Sequence, residues 1–199
     1  YVGQFQNQEQ INNWAIQDGA GNTTLTPGDL MFQDLNGDGV IDENDIQPMG
    51  RSNKPEMYFG LDLSATWKNF DFSVLMQGAA NYSRYMHGTM AHALSNGSSA
   101  LEIFTDRWRR ADLYDPNSEW IPGKYPSTYA SGKESNNRRS SFYLQDAIYL
   151  RVKNIELGYT IPTHITKEKI GIHSLRVYLS ANNLLTFDNL SFGDPEAPS

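Results

Sequence analysis

From Tyr58 onward, apolar and polar side chains alternate along the chain. In YFGLDLSATW, Phe59, Leu61, Leu63, Ala65 and Trp67 fall on one face, with Tyr58, Gly60, Asp62, Ser64 and Thr66 on the other. A period of two is that of a β-strand. Beyond Lys68 and Asn69 the alternation resumes, with Phe70, Phe72, Val74 and Met76 set against Asp71, Ser73, Leu75 and Gln77. The two runs predict a tight hairpin. In DAIYLRVKNIELGYTIP, Ile148, Leu150 and Val152 share one phase and Ile155, Leu157, Tyr159 and Ile161 the other. The break near Lys153 and Asn154 predicts a bulge in a third strand. After the polar connection THITKEKIGIHS, a fourth strand sets Leu175, Val177, Leu179, Ala181, Leu185 and Phe187 against Arg176, Tyr178, Ser180, Asn182 and Thr186.

An apolar row opposite a polar row suits two architectures. A soluble sandwich buries the apolar row between sheets, whereas a membrane barrel turns it to lipid and the polar row to an aqueous lumen. Runs of about ten residues match a tilted membrane strand better than the five or six typical of soluble strands. The links alternate in length: short at 68–69 and about 163–174, long at 1–57 and about 81–141. Barrels of the outer membrane show this asymmetry, with short periplasmic turns and long extracellular loops. Trp67 and Phe70 beside one short turn and Tyr159 beside the other sit where an aromatic girdle would lie. The expected fold class is therefore all-β, with about four long antiparallel strands of a transmembrane β-barrel.

Composition narrows the function classes. The chain has 199 residues, no cysteine and a net charge of -7, which excludes disulfides, thiolate zinc sites and cysteine nucleophiles and argues against nucleic acid as a partner. Eleven Tyr, nine Phe and four Trp make it aromatic-rich. No apolar run is long enough for a membrane helix, which leaves membrane strands open.

Residues 1–57 are rich in Asn, Gln, Asp, Gly and Thr, with a short amphipathic helix expected around QEQINNWAI. Within them, DLNGDGVIDENDI spaces oxygen donors as a calcium loop does, at positions 1, 3, 5, 7, 9 and 12 with glycine at 6. The metal ligands expected are Asp34, Asn36, Asp38, the Val40 carbonyl, Asp42 directly or through water, and Asp45. Gly39 would make the sharp turn and Ile41 would point into an apolar contact. Position 12 is Asp rather than Glu, as in the calcium repeats of dockerins, and Pro27, Gly28, Pro48 and Gly50 flank the loop in place of paired helices. The same dipeptides also suit metal-free turns. A calcium ion held in 34–45 would be structural, pinning the loop.

Several blocks in order carry a family resemblance: PGDLMFQDLNGDGVIDENDIQPMG, YFGLDLSATWKNFDFSVLMQGAAN, DRW, SSFYLQDAIYLRVKNIELGYTIP, LRVYLSANNLLTF and DPE. They resemble the C-terminal part of SusC/RagA-type TonB-dependent outer-membrane transporters of Bacteroidetes, from Phe5 to Glu196. YLRVKNIELGY and DLNGDG are the most specific blocks. The resemblance implies strands from a 22-stranded barrel in the bacterial outer membrane, and import of oligosaccharide or peptide with a SusD-like surface lipoprotein. It also implies energy from the TonB system through an N-terminal part. The chain is then expected to be a fragment without plug domain or terminal strand: residues 1–57 an extracellular loop region, and 58–199 barrel strands interrupted by the extracellular loop at about 81–141.

Enzyme chemistry is not expected. His87, His92, His164 and His173 read as surface residues, and Asp106, Asp112, Asp115 and Glu119 lie among Arg107, Arg109 and Arg110 as a solvated loop. No nucleophile elbow, P-loop or zinc-protease motif is present. Trp108, Tyr114, Trp120, Tyr125 and Tyr129 could stack on sugar rings or anchor loops. The competing reading is a secreted calcium-stabilised β-sandwich that binds carbohydrate, distinguished by where the apolar row goes.

Overall fold

The computed structural model describes residues 1–94, 97–128, 134–191 and 193–196. Two compact units emerge: Tyr1–Gly50 with Tyr85–Leu144, and Arg51–Arg84 with Gln145–Ser199.

The first unit is built from loops, two short strand pairs and short helical turns. Strand β1 (Gly3–Gln4) pairs antiparallel with β2 (Leu30–Met31), and helix α1 (Gln8–Asn12) follows β1. The Asn7 side chain caps α1 by accepting from the Gln10 amide, satisfying a donor that the first turn leaves open. Ile11 is drawn inward with Phe5, Leu25 and Met31. The two long loops pack on each other: Leu30, Phe32 and Ile41 share a core with Ala91 and Tyr143. Polar cross-links reinforce it. The Asn136 side chain accepts from the Leu30 amide (2.9 Å) and donates to Asp29 (2.8 Å), while Arg138 donates to the carbonyls of Ile41 and Gln17. Burying these groups is tolerable because each is paired.

The second unit is one sheet of four strands, β3 (Met57–Trp67), β4 (Phe70–Tyr85), β7 (Leu144–Ile161) and β8 (Leu175–Asp188), in the order β3-β4-β7-β8. Between β4 and β7 in sequence lies the small pair β5 (Arg109–Arg110) and β6 (Trp120–Ile121), which belongs to the first unit. At 11, 16, 18 and 14 residues, the four long strands are two to three times the usual soluble length. The hairpin forms as the alternation requires: Trp67 faces Phe70, Ala65 faces Phe72, Leu63 faces Val74 and Leu61 faces Met76. Lys68 takes a φ of 55° in the turn.

The register breaks where the alternation does, but the bulge lies in the fourth strand rather than the third. Pairing shifts between Val152 and Asn154, and the extra residue comes from β8, where Asn183 sits at φ 52° between Asn182 and Leu185. The shift keeps like against like. Leu150 faces Phe187 and Val152 faces Leu185 on one side of it, and Leu157 faces Leu179 and Tyr159 faces Val177 on the other.

Two other details differ from the sequence reading. Strand β4 runs on to Tyr85, passing Asn81 at φ 60°, a break in the alternation that hides its last residues. The connection to β8 contains an eight-residue helix, α2 (Thr163–Ile170). Its face lacks an apolar stripe, so periodicity does not reveal it. It stops at Gly171, φ 73°, whose amide donates to the Lys167 carbonyl while that of Ile172 donates to Thr166, a left-handed glycine end that satisfies carbonyls of the last turn.

Candidate functional site

The wall is the first candidate, and its two faces differ. On the apolar face Leu61 and Leu63 are each 49 % exposed, Leu157 51 % and Leu179 77 %, and all eleven residues of β3 are exposed. Val74, mid-sheet on this row, is buried by its neighbours. The aromatics gather at the turn end: Trp67 faces Phe70 across the hairpin, the Phe70 and Tyr159 rings lie 4.6 Å apart, and the Lys68 ammonium sits 4.7 Å over Trp67. A ring belt with a cation at its edge is what a membrane interface selects.

The polar face carries a charge cluster spanning three strands. Arg176 on β8 reaches Asp71 on β4 and donates to Glu156 on β7. Gly158 makes this reach possible: a Cβ there would lie 2.4 Å from both the Arg176 guanidinium and the Asp71 carboxylate. Asn69 ties β4 to β7 by accepting from the Thr160 amide and donating to its carbonyl, both at 2.8 Å. Neutral amides continue the row, Asn154 donating to Asn182 at 2.9 Å.

The loop at 34–45 is the second candidate. Asp34 accepts from the amides of Gly37 (2.6 Å) and Gly39 (2.8 Å), Asn36 from Asp38, Asp38 from Val40, and Asp42 from Asn44. Asp45 closes the loop on the amides of Leu35 and Asp42. Those amides, Asp42's first, hold the Asp45 pKa below the usual carboxylate range. Gly37 and Gly39 have φ of 79° and 86°, which only glycine adopts freely. Ile41 is buried, and its amide donates to the Ile16 carbonyl at 2.8 Å. The donors are all hard oxygens in calcium order. Among the described residues, however, no three acidic or histidine side chains converge into a metal cluster. The loop carboxylates are instead turned to backbone amides.

The other sequence candidates disperse. Trp108 and Tyr125 are buried. Trp108 lies over Gly28 and donates to Gln4, and Tyr125 packs on Phe104 and Ala93. Arg110 covers the Trp120 ring at 4.3 Å. Tyr114 is 97 % exposed, and Tyr129 lies outside the described residues. His87, His164 and His173 are exposed, whereas His92 is partly buried against Tyr143 and its pKa is lowered by that burial. Asp112 and Asp115 accept amides within their own turns, and Arg107 and Arg110 donate to carbonyls. No convergent catalytic group arises from these residues.

Long antiparallel strands in register, apolar on their exposed face and charged on the other, define the class: a segment of β-barrel wall with its loops. Comparison with known proteins bears this out. The chain is 28 % identical over 204 residues to TonB-dependent receptor P26 of Formosa agariphila, covering 98 % of this chain and 18 % of the receptor. It is 30 % identical to TonB-dependent receptor P3 of the same organism, covering 86 % and 16 %. To the TonB-dependent receptor SusC of Bacteroides thetaiotaomicron it is 25 % identical, covering 87 % and 16 %. The structure of the RagAB peptide importer in its open-open state superposes with a TM-score of 0.57 at 22 % identity, over 80 % of this chain and 16 % of that one, a likeness of fold. No family model matches the chain. The sequence is of the SusC/RagA type and corresponds to a segment of those receptors. It spans less than a fifth of the length of the curated relatives it matches.

Proposed function

We propose that these residues form part of the wall and loops of a TonB-dependent outer-membrane transporter that imports oligosaccharide or peptide. The observation that carries the reading is the exposed apolar row in register along four long strands. Lipid is the medium that stabilises such a row, and the charged opposite face requires water. The matched names are those of receptors and a peptide importer rather than enzymes, which supports transport. The sandwich alternative needs a second sheet of comparable size. Among the described residues the other two sheets have strands of only two residues.

In this reading, residues 1–57 and the loop at about 81–141 face the outside, where substrate and a SusD-like lipoprotein would meet them. The TonB system acts through an N-terminal part. The loop at 34–45 would hold a structural calcium through Asp34, Asn36, Asp38, the Val40 carbonyl, Asp42 and Asp45. A carboxylate oxygen that accepts one amide keeps a second lone pair for a cation, so turning the carboxylates inward suffices. Calorimetric titration of the full-length receptor tests this: calcium should bind, and Asp34→Ala with Asp38→Ala should abolish the heat. An unchanged titration in the double variant would exclude the site as drawn.

The wall reading is tested by charge placement in the full-length protein. Leu61→Arg, on the apolar face, should cost about 2 to 4 kcal/mol near the bilayer midplane, whereas Ser64→Arg should be mild. Equal costs would contradict the orientation.

A further inference from the structure

Beyond β8 the chain turns back over the polar face of its own sheet. Asn189 accepts from the Ile148 amide at 3.0 Å and donates to the Asp146 carbonyl, Ser191 and Gln145 exchange two hydrogen bonds, and Leu190 packs against Ala79, Tyr82, Ala147 and Tyr149. The tip that follows is held differently. Arg151 donates to Asp194 at 2.7 Å and to Glu196 at 2.6 Å, and Lys153 donates to Glu196 at 2.6 Å. Arg84 donates to the Asp194 carbonyl and the Tyr82 hydroxyl to that of Pro195. Every one of these bonds comes from a side chain of the sheet. The tip's own amide at Glu196 is satisfied locally by Asp194.

The Arg151 side chain is only 8 % exposed under this cover, while the Asp194 carboxylate above it is 53 % exposed. Arg151 also donates through Nε to Thr186, so its planar fork is fixed before any acid arrives. A guanidinium aimed this way, with an ammonium beside it, is a carboxylate receptor by construction. From this we infer that Arg151, Lys153 and Arg84 form a binding site for acidic, peptide-like ligands on the polar face of the wall. The chain's own Asp194-Pro195-Glu196 fills that site as an internal, displaceable ligand. The inference rests on the wall reading only for placing this face toward water.

Ion pairs that are partly exposed weaken with salt, whereas strand pairing does not depend on them. Amide exchange on the full-length receptor in detergent separates the two. Asp194→Asn with Glu196→Gln should raise exchange at Gly193, Asp194 and Glu196 at least tenfold and leave 189–191, held by neutral bonds, and β7 residues 150–157 protected. The wild-type protein should show the same contrast as sodium chloride rises. A fluorescent Gly-Asp-Pro-Glu peptide should bind the double variant at least tenfold more tightly than wild type, and adding Arg151→Gln should remove that gain. Unchanged exchange at Gly193, Asp194 and Glu196 in both the variant and the salt series, or peptide binding indifferent to Arg151, would overturn the site. Loss of β7 protection in the wild type would instead count against the wall.

Discussion

Asp18 shows how much one side chain can organise in a chain with few regular elements. Its carboxylate accepts from the amides of Ala20, Asn22 and Thr24 and from the Thr24 hydroxyl. Partial burial opposes ionisation, yet these donors outweigh it and lower the pKa to about 2. A carboxylate with a depressed pKa contributes stability above its unfolded value, near 4, and loses it as pH falls through the folded value. The turn at 18–24 should therefore loosen between about pH 4 and pH 2. Asp18→Ala should cost about 1 to 2 kcal/mol at neutral pH, after discounting for solvent screening. Amide exchange at Ala20, Asn22 and Thr24 would report both effects, and a pH-independent opening would contradict the assignment. Sequence alone did not single Asp18 out, because its partners are backbone amides. The Trp108 and Tyr125 side chains illustrate the opposite problem. They read as loop aromatics available to a ligand, but the partners that bury them, Gly28 and Phe104 among others, lie at separations no local pattern encodes.

Among the elements, the strands were the legible part and the loops were not. Alternation is local, so the hairpin register, the shift at Lys153 and Asn154 and the four-strand count all follow from reading every second residue. The cohesion of residues 1–50 with 85–144 depends on contacts such as Asn136 with Leu30 and Asp29, which periodicity does not carry. Helix α2 was hidden for a related reason, having no apolar face to announce it. Two glycines turn register into packing. At Gly78 an added Cβ would lie 2.4 Å from the Phe59 ring and from the Tyr149 carbonyl, whereas at Gly60 the nearest atom is 3.5 Å away. Gly78→Ala and Gly158→Ala should each destabilise the sheet by about 1 to 3 kcal/mol through overpacking, and Gly60→Ala by less than 1. Thermal unfolding of the full-length variants would rank them, and equal losses at all three would show that the close approaches are not structural.

For the whole molecule, the governing fact is a sheet that leaves a long apolar row exposed and concentrates its charges on the other face. Adjacent residues along β3 and β8 should therefore meet different media. The most direct measurement places a fluorophore, through single cysteines, at Leu63 and Ser64 and at Leu179 and Ser180 of the full-length receptor in bilayers containing brominated lipid. The wall account predicts strong lipid quenching at Leu63 and Leu179 and weak quenching at Ser64 and Ser180, where water-soluble iodide should act instead. Equal lipid quenching at neighbouring positions, or none at Leu63 and Leu179, would contradict it.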